Sequence, residues 1–188
     1  MSAERPLFIP VILGTARKGR MSEHVARFVH GQLESWANVE TELIDVRALN
    51  LPTDDEGEAI KDEGFSRACA RADGLVIVAP EYNHGYPGLL KHALDTNLKE
   101  YIHKAVGVCG VSAGGFGGTR VIENLLPVLR ELGLVVIFND GNFSRVGKVF
   151  DETGTLIDEK YVKYTNTFLE ELVWMSKTLR YGRENVTY

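Results

Sequence analysis

Short, nearly unbroken apolar runs alternate along this chain with longer stretches in which apolar residues recur every three or four positions. Leu7 to Leu13 is almost wholly apolar and reads as a first strand. Pro10 is the one residue in it ill suited to a central position, because it donates no hydrogen bond to a neighbouring strand. Val25, Phe28, Val29, Leu33 and Trp36 then share one helical face, which predicts a helix from Ser22, as N-cap, to about Trp36. Thr41 to Val46 alternates as a second strand, and Asp54 to Gly64 is an acidic loop entering a helix that ends near Ala72. Gly74 to Ala79 is uniformly apolar, as a strand covered on both faces must be. A helix over Gly88 to Leu98, a strand over Ala105 to Val111, a helix over Thr119 to Leu132 and a fifth strand over Leu134 to Phe138 follow. Asn139 to Leu156 is rich in Gly, Asn, Asp and Ser and reads as a long loop with a small hairpin around Asp151 to Gly154, before a final helix from about Asp158 to Arg180.

Strict alternation of strand and helix argues for an α/β fold with a doubly wound parallel sheet. Five strands favour the flavodoxin-like order 2-1-3-4-5, with helices on both faces, over a six-stranded dinucleotide fold. The 188 residues suit one domain over 1–188. A composition of 44% hydrophobic and 25% charged residues is that of a soluble globular protein. The net charge of −5 gives no basic stripe for nucleic acid and disfavours an anionic membrane surface. No apolar signal region opens the sequence and no run reaches membrane-span length. Cys69 and Cys109 lack metal-ligand spacing and read as buried thiols of a reducing compartment, so the expected location is the cytoplasm and no metal site is expected.

The chemistry sits in three glycine-bearing loops that each follow a strand: 14–22, 80–88 and 112–119. In a parallel sheet such loops emerge at one carboxyl edge, where ligands bind. In the first, Gly14 and Gly19 have P-loop spacing, but Arg20-Met21 stands where Lys-Ser/Thr is required, which argues against a P-loop NTPase. What remains is hydroxyls (Thr15, Ser22), cations (Arg17, Lys18, Arg20) and the amides opening a helix, a set suited to a phosphate monoester. The third loop contains a literal G-x-S-x-G, Gly110 to Gly114, yet all five histidines precede Ser112, whereas a hydrolase of this type needs its histidine afterwards. Gly115-Phe116-Gly117 begins a dinucleotide fingerprint, but Arg120 occupies its third glycine position. A side-chain-poor loop that lets backbone approach a flat ligand is the better reading.

The middle loop, Pro80-Glu81-Tyr82-Asn83 with Gly85, Pro87-Gly88 and the Lys91–Asp95 helix behind it, resembles the NADPH-dependent FMN reductase family of flavodoxin-like proteins. The first loop is similar to that family's phosphate loop and the segment after the fourth strand to its ring-binding segment, so the likeness runs from about Phe8 through Leu132. The resemblance implies FMN as bound cofactor. Its phosphate would rest on Thr15, Arg17 and Ser22, with Arg20 as helper; its ring on Pro80, Glu81, Tyr82 and Asn83; and its pyrimidine end on Ser112, Gly114, Gly115 and Phe116. It further implies NADPH or NADH as hydride donor and a small electron acceptor (a quinone, azo or nitro compound, metal oxyanion or free flavin) served in a ping-pong cycle without a dedicated acid–base residue. Lys18, Arg20, His84 and Tyr86 are candidates for the nicotinamide phosphate. A homodimer or homotetramer is expected. A flavodoxin-type electron carrier that takes no nicotinamide, and a cofactor-free subunit of the same fold, remain the alternatives.

Overall fold

The computed structural model describes residues 5–52 and 61–187, so the expected acidic loop lies, from 54 to 60, outside the described residues. Among the described residues, eight strand segments occur where five strands are expected: β1 (Leu7–Phe8), β2 (Val11–Leu13), β3 (Val39–Glu40), β4 (Leu43–Asp45), β5 (Gly74–Pro80), β6 (Ala105–Val111), β7 (Val135–Val136) and β8 (Gly141–Phe143). The main sheet runs β4-β2-β5-β6-β7, all parallel, with β8 also pairing β6 and β1 pairing β3 beside it. The segments fill five positions in a flavodoxin-like arrangement, so the fold class stands while the strand count is corrected.

Two breaks explain the extra segments. Pro10 separates β1 from β2 because its missing N–H would have faced β5. The path itself continues: Ile9 N and Val11 N donate to Glu40 O and Glu42 O on one side, and Val76 N donates to Pro10 O on the other. The fifth position breaks for a different reason. Expected to run to Phe138, it leaves the sheet after Val136, because the Phe138 and Asn139 amides donate to the Glu171 carboxylate at 2.8 and 2.9 Å instead of to a strand. Phe138 is left 91% exposed. The segment expected as a plain loop then rejoins β6 as β8, with a 3₁₀ turn at Val146–Lys148. The small hairpin does occur: Phe150 bridges Leu156, and the Asp151 carboxylate caps the turn by accepting from Thr153 N and Thr155 N.

Among the described residues, five α-helices cover the sheet: α1 (Ser22–Glu34), α2 (Glu63–Arg71), α3 (Gly88–Asp95), α4 (Thr119–Glu131) and α5 (Lys160–Asn185). Alternation along β5 divides the core. Val76 and Val78 face α1 and α5, while Leu75, Ile77 and Ala79 face α2, α3 and α4. Both faces being covered, every residue of β5 and β6 is buried. Helix α2 begins where the Asp62 carboxylate accepts from Phe65 N.

Packing is closest where α5 crosses β6: a Cβ on Gly107 would stand 2.4 Å from the Phe168 ring. Gly107→Ala therefore overpacks this contact and destabilises the protein by about 1–3 kcal/mol in denaturant unfolding. In a Phe168→Leu background the same substitution costs less, because the two sites are coupled.

Candidate functional site

The three loops singled out in the sequence meet at the carboxyl edge of the sheet, and the 141–148 segment joins them as a fourth wall. Between them lies a cleft of about 390 Å³ whose lining includes Arg17, Ser22, Pro80, Tyr82, Ser112 and Val146. That volume lies within the range of small-molecule sites.

The first loop is shaped by Arg20. Its side chain is 2% exposed, and its guanidinium forks onto the Asp45 carboxylate at the end of β4 while also reaching Glu23 and the Thr15 carbonyl. A buried guanidinium must be paired, so this one ties the loop after β2 to β4 and to the start of α1. Arg20 borders the cleft, and four of its five N–H donors are committed within the protein, to Glu23, the Thr15 carbonyl and both Asp45 oxygens, which makes it a clamp on the first loop and leaves one donor for the expected phosphate. Burial acts to raise the Asp45 carboxyl, and hydrogen bonds from Arg20 and the Arg47 amide outweigh it, holding the group below the usual carboxylate range.

Ser22 is also corrected. The N-cap of α1 is Met21, already helical at φ −65°, so Ser22 is the first helical residue. Its hydroxyl is thereby released from capping duty: the oxygen is buried, borders the cleft and has no hydrogen-bond partner among the described residues. A buried polar oxygen without a partner is costly, and here it sits at the positive end of the α1 dipole, where an anion is favoured, while Glu23 N and His24 N already donate to Arg20 O and Met21 O. Thr15 lies beneath, its hydroxyl 3.2 Å from the Tyr82 hydroxyl and accepting from Arg17 N. The Arg17 guanidinium lies 5.5 Å above the Tyr82 ring, at the rim.

The middle loop is a two-residue turn. Tyr82 and Gly85 exchange backbone hydrogen bonds around Asn83 (φ 51°) and His84 (φ 66°), the left-handed pair of a type I′ hairpin. The turn fixes Tyr82 against the first loop, and Glu81 N donates to Val111 O, which fixes Pro80–Glu81 against the third. One Glu81 carboxylate oxygen pairs with Arg120 at 3.4 Å; the other is buried without a partner among the described residues. Asn83 itself is exposed at the turn.

In the third loop, Gly118 (φ 77°) opens α4 so close to β6 that a Cβ on it would stand 2.5 Å from Val111 N. Only glycine lets the loop fold back this tightly. Ser112 lines the cleft, whereas Gly114, Gly115 and Phe116 stand exposed beyond its lining, Phe116 being 67% exposed with the Arg120 guanidinium over its ring. The loop is held from the fourth wall: Ser112 N donates to Phe143 O, Val146 N to Ser112 O and Arg145 N to Gly114 O. Reading the sequence missed this wall, because its apolar residues, Phe143 and Val146, are isolated among Gly, Asn and Ser and carry no strand period.

The donor set suits a flat ligand with a phosphate tail: an unsatisfied hydroxyl at a helix start at one end, a bare backbone edge at the other. Comparison with known proteins agrees. Residues 8–146 match the family described as NADPH-dependent FMN reductase. The chain is 27% identical over 173 residues to a 2-hydroxy-1,4-benzoquinone reductase from a Burkholderia species, covering 88% of this chain and 93% of that one. It is 30% identical over 148 residues to an NAD(P)H-dependent FMN reductase of Saccharomyces cerevisiae, covering 69% and 76%. Among solved structures, a flavoenzyme NAD(P)H:(acceptor) oxidoreductase from Paracoccus denitrificans superposes with a TM-score of 0.75 at 22% identity, covering 91% of this chain and 98% of that one, which establishes the likeness of fold.

Asp45→Asn leaves Arg20 buried with a weakened partner and destabilises the protein by about 3 kcal/mol at neutral pH. Because the folded-state carboxyl titrates below its unfolded value, its contribution is complete above about pH 4 and disappears as pH falls further. The stability gap between wild type and Asp45→Asn, followed by thermal unfolding, is therefore widest at neutral pH and narrows on acidification. A gap independent of pH contradicts this assignment.

Proposed function

The chain belongs to the NADPH-dependent FMN reductase family and is an FMN-dependent NAD(P)H oxidoreductase, and on that premise we propose that the four-walled cleft holds the FMN and delivers its electrons to a quinone. The observation that carries this reading is the buried, unpartnered Ser22 hydroxyl at the start of α1. It donates to the FMN phosphate at the positive end of the helix dipole, while Arg17 supplies a compensating charge from the rim. Thr15 supports both, through the Arg17 amide and the Tyr82 hydroxyl. The backbone of Pro80, Glu81, Tyr82 and Asn83 forms the rigid edge against which the ring lies, and the third loop, Ser112 with the amides of Gly114, Gly115 and Phe116, faces its pyrimidine end. Fixed donors there favour the reduced state, because negative charge develops at that end.

Bound FMN supplies the capacity to accept a hydride from a nicotinamide and to pass two electrons to an acceptor. This chain's residues hold the phosphate, orient the ring and leave one ring face open, so that donor and acceptor take turns in a ping-pong cycle. The acceptor is a small molecule. A quinone is favoured because a relative matching 88% of this chain is a benzoquinone reductase. The working unit we propose is one flavodoxin-like domain over 1–188, assembled as a homodimer or homotetramer in the cytoplasm. Two buried free cysteines accord with a reducing compartment, and no helix among the described residues is long and apolar enough to cross a membrane.

Purified protein reconstituted with FMN is expected to be yellow, to bleach rapidly when NADPH is added without air, and to regain colour on addition of a benzoquinone. Colour that persists with NADPH identifies an electron carrier instead, and protein that remains colourless rejects the FMN site. Ser22→Ala is expected to weaken FMN binding by about tenfold or more in fluorescence titration, the usual loss for a hydrogen bond to a charged group.

A further inference from the structure

Five non-glycine residues among those described adopt positive φ: Asn38, Asn83, His84, His103 and Arg145. Asparagine and histidine are enriched in this region; arginine is not. Arg145 sits fully in the left-handed region, at φ 46° and ψ 48°. Such strain persists where the surroundings over-determine it and is a reason to look for a use.

The surroundings are the third loop. Arg145 N donates to Gly114 O at 2.8 Å, and the next residue, Val146, donates to Ser112 O at 3.1 Å and lines the cleft. This backbone grip turns the Arg145 side chain over Gly115, where a Cβ would meet the guanidinium at 3.4 Å. That is ordinary contact distance, so the cation lies alongside the loop. Three other arginines surround the cleft, and each is engaged: Arg17 on Tyr82, Arg20 on Asp45, and Arg120 on Glu81 and Phe116. The Arg145 guanidinium has no hydrogen bond or ion pair among the described residues. This exposed cation, held by strained backbone and laid along the loop proposed above to face the pyrimidine end of the cofactor, is placed to meet negative charge that develops there.

We propose that Arg145 is an electrostatic tuning residue that makes the bound FMN easier to reduce; this rests on the placement of the ring proposed above. Hydride transfer brings two electrons and one proton to the ring, so one net negative charge appears on it. The Arg145 cation binds that form more tightly than the neutral oxidised form, and tighter binding of the reduced form raises the midpoint potential. Arg145 neither donates the hydride nor accepts it. Its effect is on the balance between the two states, and with it on which quinones lie downhill.

The test is the midpoint potential of the FMN-loaded full chain, wild type against Arg145→Gln, Arg145→Lys and Arg145→Gly. Arg145→Gln and Arg145→Gly are expected to lower the affinity for reduced FMN relative to oxidised FMN by about tenfold, a fall of about 30 mV for a two-electron couple. Arg145→Lys, which keeps the charge, is expected to recover most of that shift. The apo form of Arg145→Gly is expected to melt no lower than wild type, because glycine takes this backbone conformation without strain. A ratio within about twofold of wild type in Arg145→Gln, or an equal loss in Arg145→Lys, overturns the tuning role while leaving the FMN site intact. Failure of the wild type to bind FMN overturns the ring placement and the tuning role together.

Discussion

A guanidinium with almost no access to water must find acceptors inside the protein, and for Arg20 these are the Asp45 carboxylate, Glu23 and the Thr15 carbonyl. That requirement governs the site. It draws the loop after β2 down onto the end of β4, sets Met21 rather than Ser22 as the helix cap, and leaves the Ser22 hydroxyl buried at the cleft without a partner among the described residues. On the proposed reading, the first loop holds an anion through the Ser22 hydroxyl and the helix dipole, with the buried Arg20 serving as scaffold. Charge reaches the cleft from its rim, through Arg17.

The remaining walls follow from how tightly the strands are covered. Strands β5 and β6 are buried throughout, so the loops leaving them start from fixed points. Backbone bonds then carry that rigidity outward: Glu81 to Val111, Ser112 to Phe143, Val146 to Ser112. A site built mainly from main-chain donors suits a cofactor whose chemistry is its own and whose protein contributes position and electrostatics. It also leaves acceptor choice to the open face, which accords with a family whose members act on different small molecules.

Much of this was legible in the sequence because the informative residues act locally. The apolar runs at 74–79 and 105–111 announce covered strands, and each glycine-bearing loop directly follows one. What escaped depends on partners distant in the chain. Glu171 draws the amides of Phe138 and Asn139 out of the fifth strand, and nothing near residue 138 foretells it. Arg20 reads as a phosphate ligand from its neighbours in the chain, and its pairing with Asp45, 25 positions on, shows only in the fold. Ser22 has the right chemistry for a cap, yet the turn at 20–21 begins the helix one residue early, and the freed hydroxyl becomes more useful to a ligand than to the helix. The segment around Arg145 looked like plain loop because its pairing with β6 is made by three residues, too few to show a period.

The central claim is that the start of α1 recognises the phosphate of FMN, and the most direct measurement is the affinity of the apo protein for FMN beside its affinity for riboflavin, which has the same ring and no phosphate. Titration at moderate salt is predicted to show FMN binding at least about a hundredfold more tightly, consistent with several charge-assisted hydrogen bonds to one anion. Equal affinities for the two would mean that the ring alone is held and that the first loop plays no part in binding the cofactor.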